Sequence, residues 1–338
     1  MTSAWKMEAK HYSWGQIYFI FLLMKKYFSI VKRACLWLFV ALSVAVASWV
    51  LFIFNAELSE EFTGGVSITF KGKTQETDLQ AGLAQALQQK GFPKLNISID
   101  EQEDQTKIKV NGKLENDERV NDLSAAIPDY LIESQIVASD EEIIEQAVVG
   151  PSVGKYMRST AGYALGLGLV AMMIYMIFSF GTIRKSIAPE ILATIVLLSS
   201  VLSISLPAGA YGLWMTIDHT IQIDTVFIIA ILTVIGYGIN DVIIIFDRVR
   251  ENMSQHAGDK HFSYSQVMDD SIRQTLKRSI GTSLSTLLVL IAMFIFGTGV
   301  IQRFAFTVGI GVVASFLSSV FVAIPSAYLL IKLTKKGK

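Results

Sequence analysis

The chain has 338 residues, of which 52% are hydrophobic and 17% are charged, and its mean hydropathy is +0.47. This composition is too apolar for an ordinary soluble domain. The 29 basic and 29 acidic side chains cancel to a net charge of zero, and no nucleic acid is expected among the partners.

Six apolar runs are each about 20 residues long or longer, the length that an α-helix needs to cross the hydrocarbon core of a bilayer. They cover residues 34–54, 160–180, 187–206, 223–246, 279–297 and 303–331. We therefore predict a polytopic α-helical membrane protein with six transmembrane helices, named spans 1 to 6 in chain order.

The charges are distributed unevenly along the chain. Residues 55–150 carry 19 acidic and 8 basic side chains, a net charge of −11 that the rest of the chain balances. The basic residues cluster beside span ends that share one side of a six-span topology: Lys25, Lys26, Lys32, Arg33, Arg184, Lys185, Arg248, Arg250, Arg273, Lys277, Arg278, Lys332, Lys335, Lys336 and Lys338. The positive-inside rule places this side and both termini in the cytoplasm.

This topology divides the chain into five regions. They are a cytoplasmic N-terminal segment at 1–33, span 1 at 34–54, a domain on the outer side of the membrane at 55–155 (called the periplasmic domain below), a transmembrane bundle at 156–331 with a cytoplasmic loop at 247–278, and a cytoplasmic tail at 332–338. Within the loop, the pattern from Tyr264 to Leu276 is typical of a short amphipathic helix.

The acidic region has the pattern of a small α+β domain. Alternating apolar residues predict strands at 66–70, 95–99, 106–110 and 134–139, and helical spacing predicts helices at 77–90 and 117–130. The order β-α-β-β-α-β is that of a ferredoxin-like split βαβ domain.

No pattern in the sequence points to a metal or a cofactor. Cys35 is the one cysteine, so the periplasmic domain has no disulfide of its own, and the four histidines lack metal-ligand spacing. No phosphate-binding loop or dinucleotide motif is present. We therefore expect no hydrolytic site in this chain, and any work that it does must draw its energy from a gradient or from a partner.

Asp241 is the most informative residue because it lies inside the apolar run of span 4. An aspartate at the centre of a membrane helix costs about 2.5–3.5 kcal/mol on insertion scales. Arg278, at the start of span 5, is expected at a similar depth. Two interpretations stay open: a proton relay, and a structural ion pair that holds the helices together.

Gly236 and Gly238 precede Asp241 and give a near-match to the Gly-x-Gly-Asp motif of intramembrane aspartyl proteases. Two residues intervene between Gly238 and Asp241, and no second span carries an aspartate at matching depth. The protease interpretation is therefore disfavoured.

Four segments resemble a known family when they are taken together and in order. They are Glu61-Phe62-Thr63-Gly64-Gly65, Val149-Gly150-Pro151-Ser152-Val153-Gly154, Ile235-Gly236-Tyr237-Gly238-Ile239-Asn240-Asp241 and Phe246-Asp247-Arg248-Val249-Arg250-Glu251-Asn252. This set is similar to the SecF members of the SecD/SecF family, which are membrane subunits of bacterial protein export within the resistance-nodulation-division superfamily. The resemblance covers about residues 24–331.

The resemblance implies a location and partners. It implies the cytoplasmic (inner) membrane of a bacterium, an obligate SecD-like partner subunit with six further spans, the SecYEG channel, an unfolded preprotein and membrane lipid. It also implies a proton path through Asp241 and Arg278, with Asn240 beside them, and no cofactor.

One departure from the family concerns span 3, where members usually carry a His-Asp pair. By ungapped position this chain has Ser199-Ser200 instead. Two other functions therefore stay open beside proton-driven export: a scaffold subunit that conducts no protons, and half of an exporter of the same superfamily.

Overall fold

The computed structural model describes residues 29–72, 76–92, 95–102, 105–112, 114, 116–139, 142–179, 189–256 and 263–336. In chain order its helices are α1 (Ala34–Asn55), α2 (Glu60–Thr63), α3 (Glu76–Gln89), α4 (Asp117–Glu133), α5 (Pro151–Ser179), α6 (Pro189–Ile217), α7 (Thr225–Gln255), α8 (Tyr264–Phe296), α9 (Gly299–Ser318) and α10 (Ile324–Lys336). Its strands are β1 (Gly65–Lys71), β2 (Asn96–Gln102), β3 (Gln105–Asn111) and β4 (Ile143–Val149). The predicted N-terminal segment up to residue 28 lies outside the described residues.

Six helices in the described part of the chain are long and apolar enough to cross a membrane. They are α1, α5, α6, α7, α8 and the pair α9 and α10, which a π-helical turn at Ser319–Ala323 joins into one span. The predicted six-helix fold class is confirmed. Helices α5 to α8 each have 29–33 residues, so they are longer than the hydrocarbon core requires.

The α+β domain, which comprises residues 57–149, contains one antiparallel sheet in the order β2-β3-β1-β4. β1 lies between β3 and β4, and Ile68 in its centre is opposite Ile108 of β3 and Gln146 of β4. This is the strand order of a split βαβ domain. Leu83 of α3 and Leu123 of α4 are fully buried in the same core as Ile68.

The last strand of this domain lies later in the chain than predicted. The prediction placed it at 134–139, whereas β4 runs from Ile143 to Val149. Residues after α4 instead form a turn in which Gln135 adopts a φ of 56°. Val137 is fully buried, so the apolar pattern at 136–137 reflects a loop that covers the core rather than a strand.

The predicted loop at 247–278 is mostly helical. α7 continues to Gln255, and the predicted short helix at 264–276 is the first part of α8, which runs unbroken into span 5. The Asn252 side chain donates to Ser271 Oγ at 2.8 Å and to Gln274 Oε1 at 2.9 Å. Side-chain bonds between the two helices thus extend the hairpin beyond the apolar spans.

Helices α1 and α6 approach closely through two glycines of α6. A Cβ atom at Gly209 would lie 2.5 Å from Ser48 Cβ, and one at Gly212 would lie 2.8 Å from Phe52 Cα. Small residues at such contacts let membrane helices pack backbone against backbone. The absence of side chains at these two positions therefore sets how α1 docks onto the bundle.

We expect Gly209→Val to displace α1, because the added carbons would overlap the backbone at Ser48. Overpacking of this kind costs about 1–3 kcal/mol, so the melting temperature in detergent should fall. The matched control is Gly166→Val on α5, since no atom lies within 4 Å of a Cβ added at Gly166. Equal melting temperatures for the two variants would contradict the close packing of α1.

Candidate functional site

Asp241 lies on the inward face of α7 and is 5% exposed. Among the described residues no ion pair reaches its carboxyl group, and the side chain that contacts it is Ser279 of α8. The Ser279 hydroxyl is itself buried, so the contact lies inside the bundle between α7 and α8. Asp241 is thus a buried carboxyl group without a counter-charge among the described residues.

Arg278 and Asn240 are adjacent in sequence to Ser279 and Asp241, but both side chains are exposed. No ion pair joins Arg278 to Asp241 in the described part of the chain. The two residues share a depth because Ser279 faces Asp241. Arg278 points away from the core that encloses Asp241, so the structural ion pair does not form within this chain.

A seam of buried hydroxyl groups runs between α6 and the end of α9. Ser199 Oγ and Ser318 Oγ are 2.8 Å apart, and each of Ser203 Oγ and Ser318 Oγ donates to the Ser199 carbonyl at 2.8 Å. Ser200 is also buried and donates to the Met172 sulfur at 3.4 Å. Ser199 and Ser200, which stand where the resemblance predicts a His-Asp pair, are therefore hydrogen-bonded core residues.

This seam reaches the Asp241 helix at Gly238. A Cβ atom at Gly238 would lie 3.5 Å from Ser315 Oγ and 3.7 Å from Ser203 Oγ, and Gly238 lies one helical turn before Asp241. Ser203, Ser315 and Ser318 were not among the predicted site residues. Their signal was available as serines at helical spacing in spans 3 and 6.

A polar stripe, defined as Thr233, Gly236, Asn240, Arg278, Gly281, Thr282 and Ser285, covers the outer surface of α7 and α8. All its members are exposed except the half-buried Thr233. Open space surrounds Gly236 and Gly281, since no atom lies within 4 Å of a Cβ added at either position. Tyr237 links the two helices through a 3.4 Å contact between its hydroxyl and Thr286 Oγ1.

The motifs at 61–65 and 149–154 meet at the base of the α+β domain. Gly64 has a φ of +84°, and a Cβ atom there would lie 3.0 Å from the Pro151 nitrogen. A Cβ atom at Gly154 would lie 2.9 Å from the Gly64 nitrogen, and one at Gly65 would lie 2.3 Å from the Val110 carbonyl oxygen.

Asp117 of α4 binds the second of these motifs. Its carboxylate accepts a hydrogen bond from Ser152 Oγ at 2.7 Å. Gly150 leaves room for this carboxylate, because a Cβ atom there would lie 2.4 Å from Asp117 Oδ1.

The motif at 246–252 belongs to the helical hairpin of α7 and α8. Arg248 forms an ion pair with Glu251, and its Nε donates to Gln274 of α8. Arg250 forms an ion pair with Asp247 on the exposed face. These charges stabilise the hairpin outside the apolar spans and lie apart from Asp241.

The other end of α7 carries a buried ion pair that sequence reasoning missed. Asp224 caps the helix, because its Oδ1 accepts from the Phe227 nitrogen at 2.9 Å. Its Oδ2 lies 3.4 Å from Arg303 Nη2, and the two side chains are only 9% and 10% exposed. An aspartate directly before an apolar helix is the usual cap signal, whereas nothing in the sequence indicated Arg303 as its partner.

A cavity of about 540 Å³ lies between the α+β domain and this end of the bundle. Asp100, Asp218, Gln302 and Arg303 are among its lining residues. Asp224 and Asp241 are separated along α7 by about 25 Å at 1.5 Å per residue. The cavity is therefore distant from Asp241 and is not the site around that carboxyl group.

Comparisons with known proteins agree with this architecture. A family model described as "Protein export membrane protein SecD/SecF, C-terminal" matches residues 132–333. The Protein translocase subunit SecF of Synechocystis sp. is 36% identical over 54% of this chain and 55% of its own length. The chain thus spans little more than half of that relative.

Longer matches extend the similarity into the α+β domain. The Protein translocase subunit SecF of Acidaminococcus fermentans is 31% identical over 89% of this chain and 96% of its own length. The crystal structure of SecDF, a translocon-associated membrane protein from Thermus thermophilus, superposes with a TM-score of 0.70 at 26% identity, covering 92% of this chain and 39% of that one. The chain therefore belongs to the SecD/SecF family of protein-export membrane proteins.

Proposed function

We propose that this chain is a SecF-like subunit of the Sec translocase accessory complex, and that it assists preprotein export by using the proton gradient. Asp241 is the proton-binding group in this proposal. The observation that supports it is a carboxyl group that is 5% exposed, lies inside the apolar run of a membrane helix and has no ion pair among the described residues. The direct test removes this carboxyl group and measures gradient-dependent export.

Asp241 is a costly residue for a membrane helix to carry. Burial of an aspartate at the centre of a membrane helix costs about 2.5–3.5 kcal/mol, and an ion pair or several hydrogen bonds would offset part of that cost. Asp241 has neither within the described chain. A group that alternates between a protonated and an ionised state needs surroundings that do not hold it permanently in the ionised state.

The polar stripe supports a membrane partner. Asn240 is exposed inside the apolar run of span 4, where lipid offers no hydrogen bonds. Arg278 is exposed beside the start of span 5. Small residues such as Gly236 and Gly281 permit a second helix to approach closely. The similar Thermus thermophilus chain is named SecDF, and this chain covers 39% of it. We propose that a SecD-like subunit packs on the stripe and makes an obligate heteromer.

The orientation follows from the charges. Arg248, Arg250, Arg273, Lys277 and Arg278 all lie near the same end of α7 and α8. The positive-inside rule puts this end and both termini in the cytoplasm, and the acidic α+β domain on the outer side of the cytoplasmic membrane. The SecYEG channel and the unfolded preprotein complete the set of proposed partners.

We expect Gly236→Leu to weaken association with a co-expressed SecD-like subunit, because the new side chain fills the space that a partner helix would occupy. The measurement is the amount of partner that co-purifies per mole of this chain. The matched control is Gly166→Leu, another exposed glycine with open space around it. If Gly166→Leu loses the partner and Gly236→Leu retains it, the partner does not bind at the stripe.

A further inference from the structure

The base of the α+β domain is hydrogen-bonded to the segment that leads directly into α7. Leu58 and Ile223 form a parallel β-bridge. In it, the Ser59 nitrogen donates to the Ile223 carbonyl at 3.0 Å and the Ile223 nitrogen donates to the Glu57 carbonyl at 2.7 Å. Two residues after Ile223, α7 begins.

Glu61 adds a charged contact at the same place. Its Oε2 accepts from the Thr225 backbone nitrogen at 2.8 Å and from Thr225 Oγ1 at 2.6 Å. Thr225 is the first residue of α7. A carboxylate is favoured there because it accepts from an unpaired backbone N–H and faces the positive end of the helix dipole. Glu61 is thus bound to the helix that carries Asp241.

Two further contacts join this base to the bundle. Phe62, the residue after Glu61, is 3% exposed and packs in the same core cluster as Phe227 of α7. Gly64 lies against the start of α5 at Pro151. The short helix α2 therefore contacts both α7 and α5. It leads directly into β1, which begins at Gly65.

α7 can move as one body between Asp241 and its first residue, Thr225. It is one unbroken α-helix from Thr225 to Gln255 that contains no proline. Gly236 and Gly238, a residue type that also occurs at kinks, lie within it without interrupting the helix. Asp241 is separated from Thr225 by about 24 Å at 1.5 Å per residue. A shift of α7 along its axis therefore moves Thr225 together with Asp241.

We propose that Glu61 is the coupling residue between the membrane helix that binds the proton and the α+β domain, and that this junction stays closed throughout the transport cycle. The α+β domain is then pulled or tilted whenever α7 moves. Glu61 acts here as a positioning residue, since it does not contact the proton-binding group. This proposal rests on the proposed proton-driven function.

The first test removes the charged contact. We expect Glu61→Ala to lower gradient-dependent export into membrane vesicles about tenfold, while the amount of co-purified partner stays the same. Thr225→Val should lower export too, and Thr225→Ser, which retains the hydroxyl, should restore it. The matched control Glu145→Ala removes an exposed carboxylate from β4 of the same domain. Unchanged export by Glu61→Ala would overturn the proposal.

The second test closes the junction covalently. Leu58→Cys and Ile223→Cys are introduced together, because paired residues of a β-bridge lie within the distance that a disulfide spans. Cys35→Ser removes the native cysteine so that it cannot form a disulfide with either of them. We expect export within about twofold of the reduced protein, and we expect the oxidised pair to restore export to Glu61→Ala. Loss of export on oxidation would show that the junction has to open, and failure to restore Glu61→Ala would show that Glu61 does not act through closure. Either result overturns the proposal.

Asp241→Asn in the same vesicles separates the two proposals. If Asp241→Asn and Glu61→Ala both export normally, then the proton-driven function itself fails. If Asp241→Asn abolishes gradient-dependent export while Glu61→Ala leaves it intact, only the coupling role of Glu61 is wrong.

Discussion

Asp241→Asn is expected to reduce export with a proton gradient to the level seen with an uncoupler. The asparagine side chain fills the same space but cannot bind and release a proton. One charge that crosses 100 mV yields about 2.3 kcal/mol, which corresponds to about a 50-fold change in rate. The measurement is preprotein export into vesicles with and without uncoupler.

The matched control for this variant is Asp270→Asn. Asp270 is half-exposed and forms an ion pair with Arg273 three residues away, so its loss removes the same charge without touching the core. If Asp241→Asn retained gradient-dependent export, the scaffold function without proton conduction would be favoured. That outcome would agree with the absence of a titratable pair at Ser199-Ser200.

The second large effect is expected from Arg303→Met. It leaves Asp224 buried without its cation, and breaking a buried pair in this way costs about 3–5 kcal/mol. The melting temperature of the protein in detergent should therefore fall strongly. Asp224→Asn combined with Arg303→Met should recover much of the loss, because asparagine still caps α7 and no buried charge remains.

Arg273→Met is the matched control for this experiment. It breaks the ion pair between Arg273 Nη1 and Asp270 Oδ1, which are 3.6 Å apart. The Arg273 side chain is 35% exposed and the Asp270 side chain is 48% exposed. Pairs of this kind contribute about 0–1 kcal/mol. A loss for Arg303→Met no larger than for Arg273→Met would contradict a stabilising role for the buried pair.

Much of the fold could be predicted because it depends on local periodicity. The six apolar spans and five of the six predicted elements of the α+β domain follow from runs of about 20 apolar residues and from alternation along strands. The error at β4 has a physical cause. Val137 is buried by tertiary packing in a turn, and a buried loop residue gives the same apolar signal as a strand.

The candidate site was predictable only in part. A carboxyl group inside a span is visible in the sequence because its insertion cost is high, so Asp241 could be identified directly. Which neighbouring side chains face Asp241 depends on how the packed helices are rotated about their axes. That rotation buries Ser279 beside Asp241 and turns Arg278 outward, although the two residues are adjacent in the chain.

The sequence by itself determined the number of spans, the split charge, the order of the α+β elements and the one costly carboxyl group. These properties depend on composition and on apolar residues that recur every two residues in strands or every 3.6 residues in helices. Only the tertiary structure decided that Ser199 pairs with Ser318, that Arg303 pairs with Asp224 and that Glu61 binds Thr225. Each of these contacts joins residues at least 79 positions apart, and no local pattern encodes which distant side chain a folded helix will face.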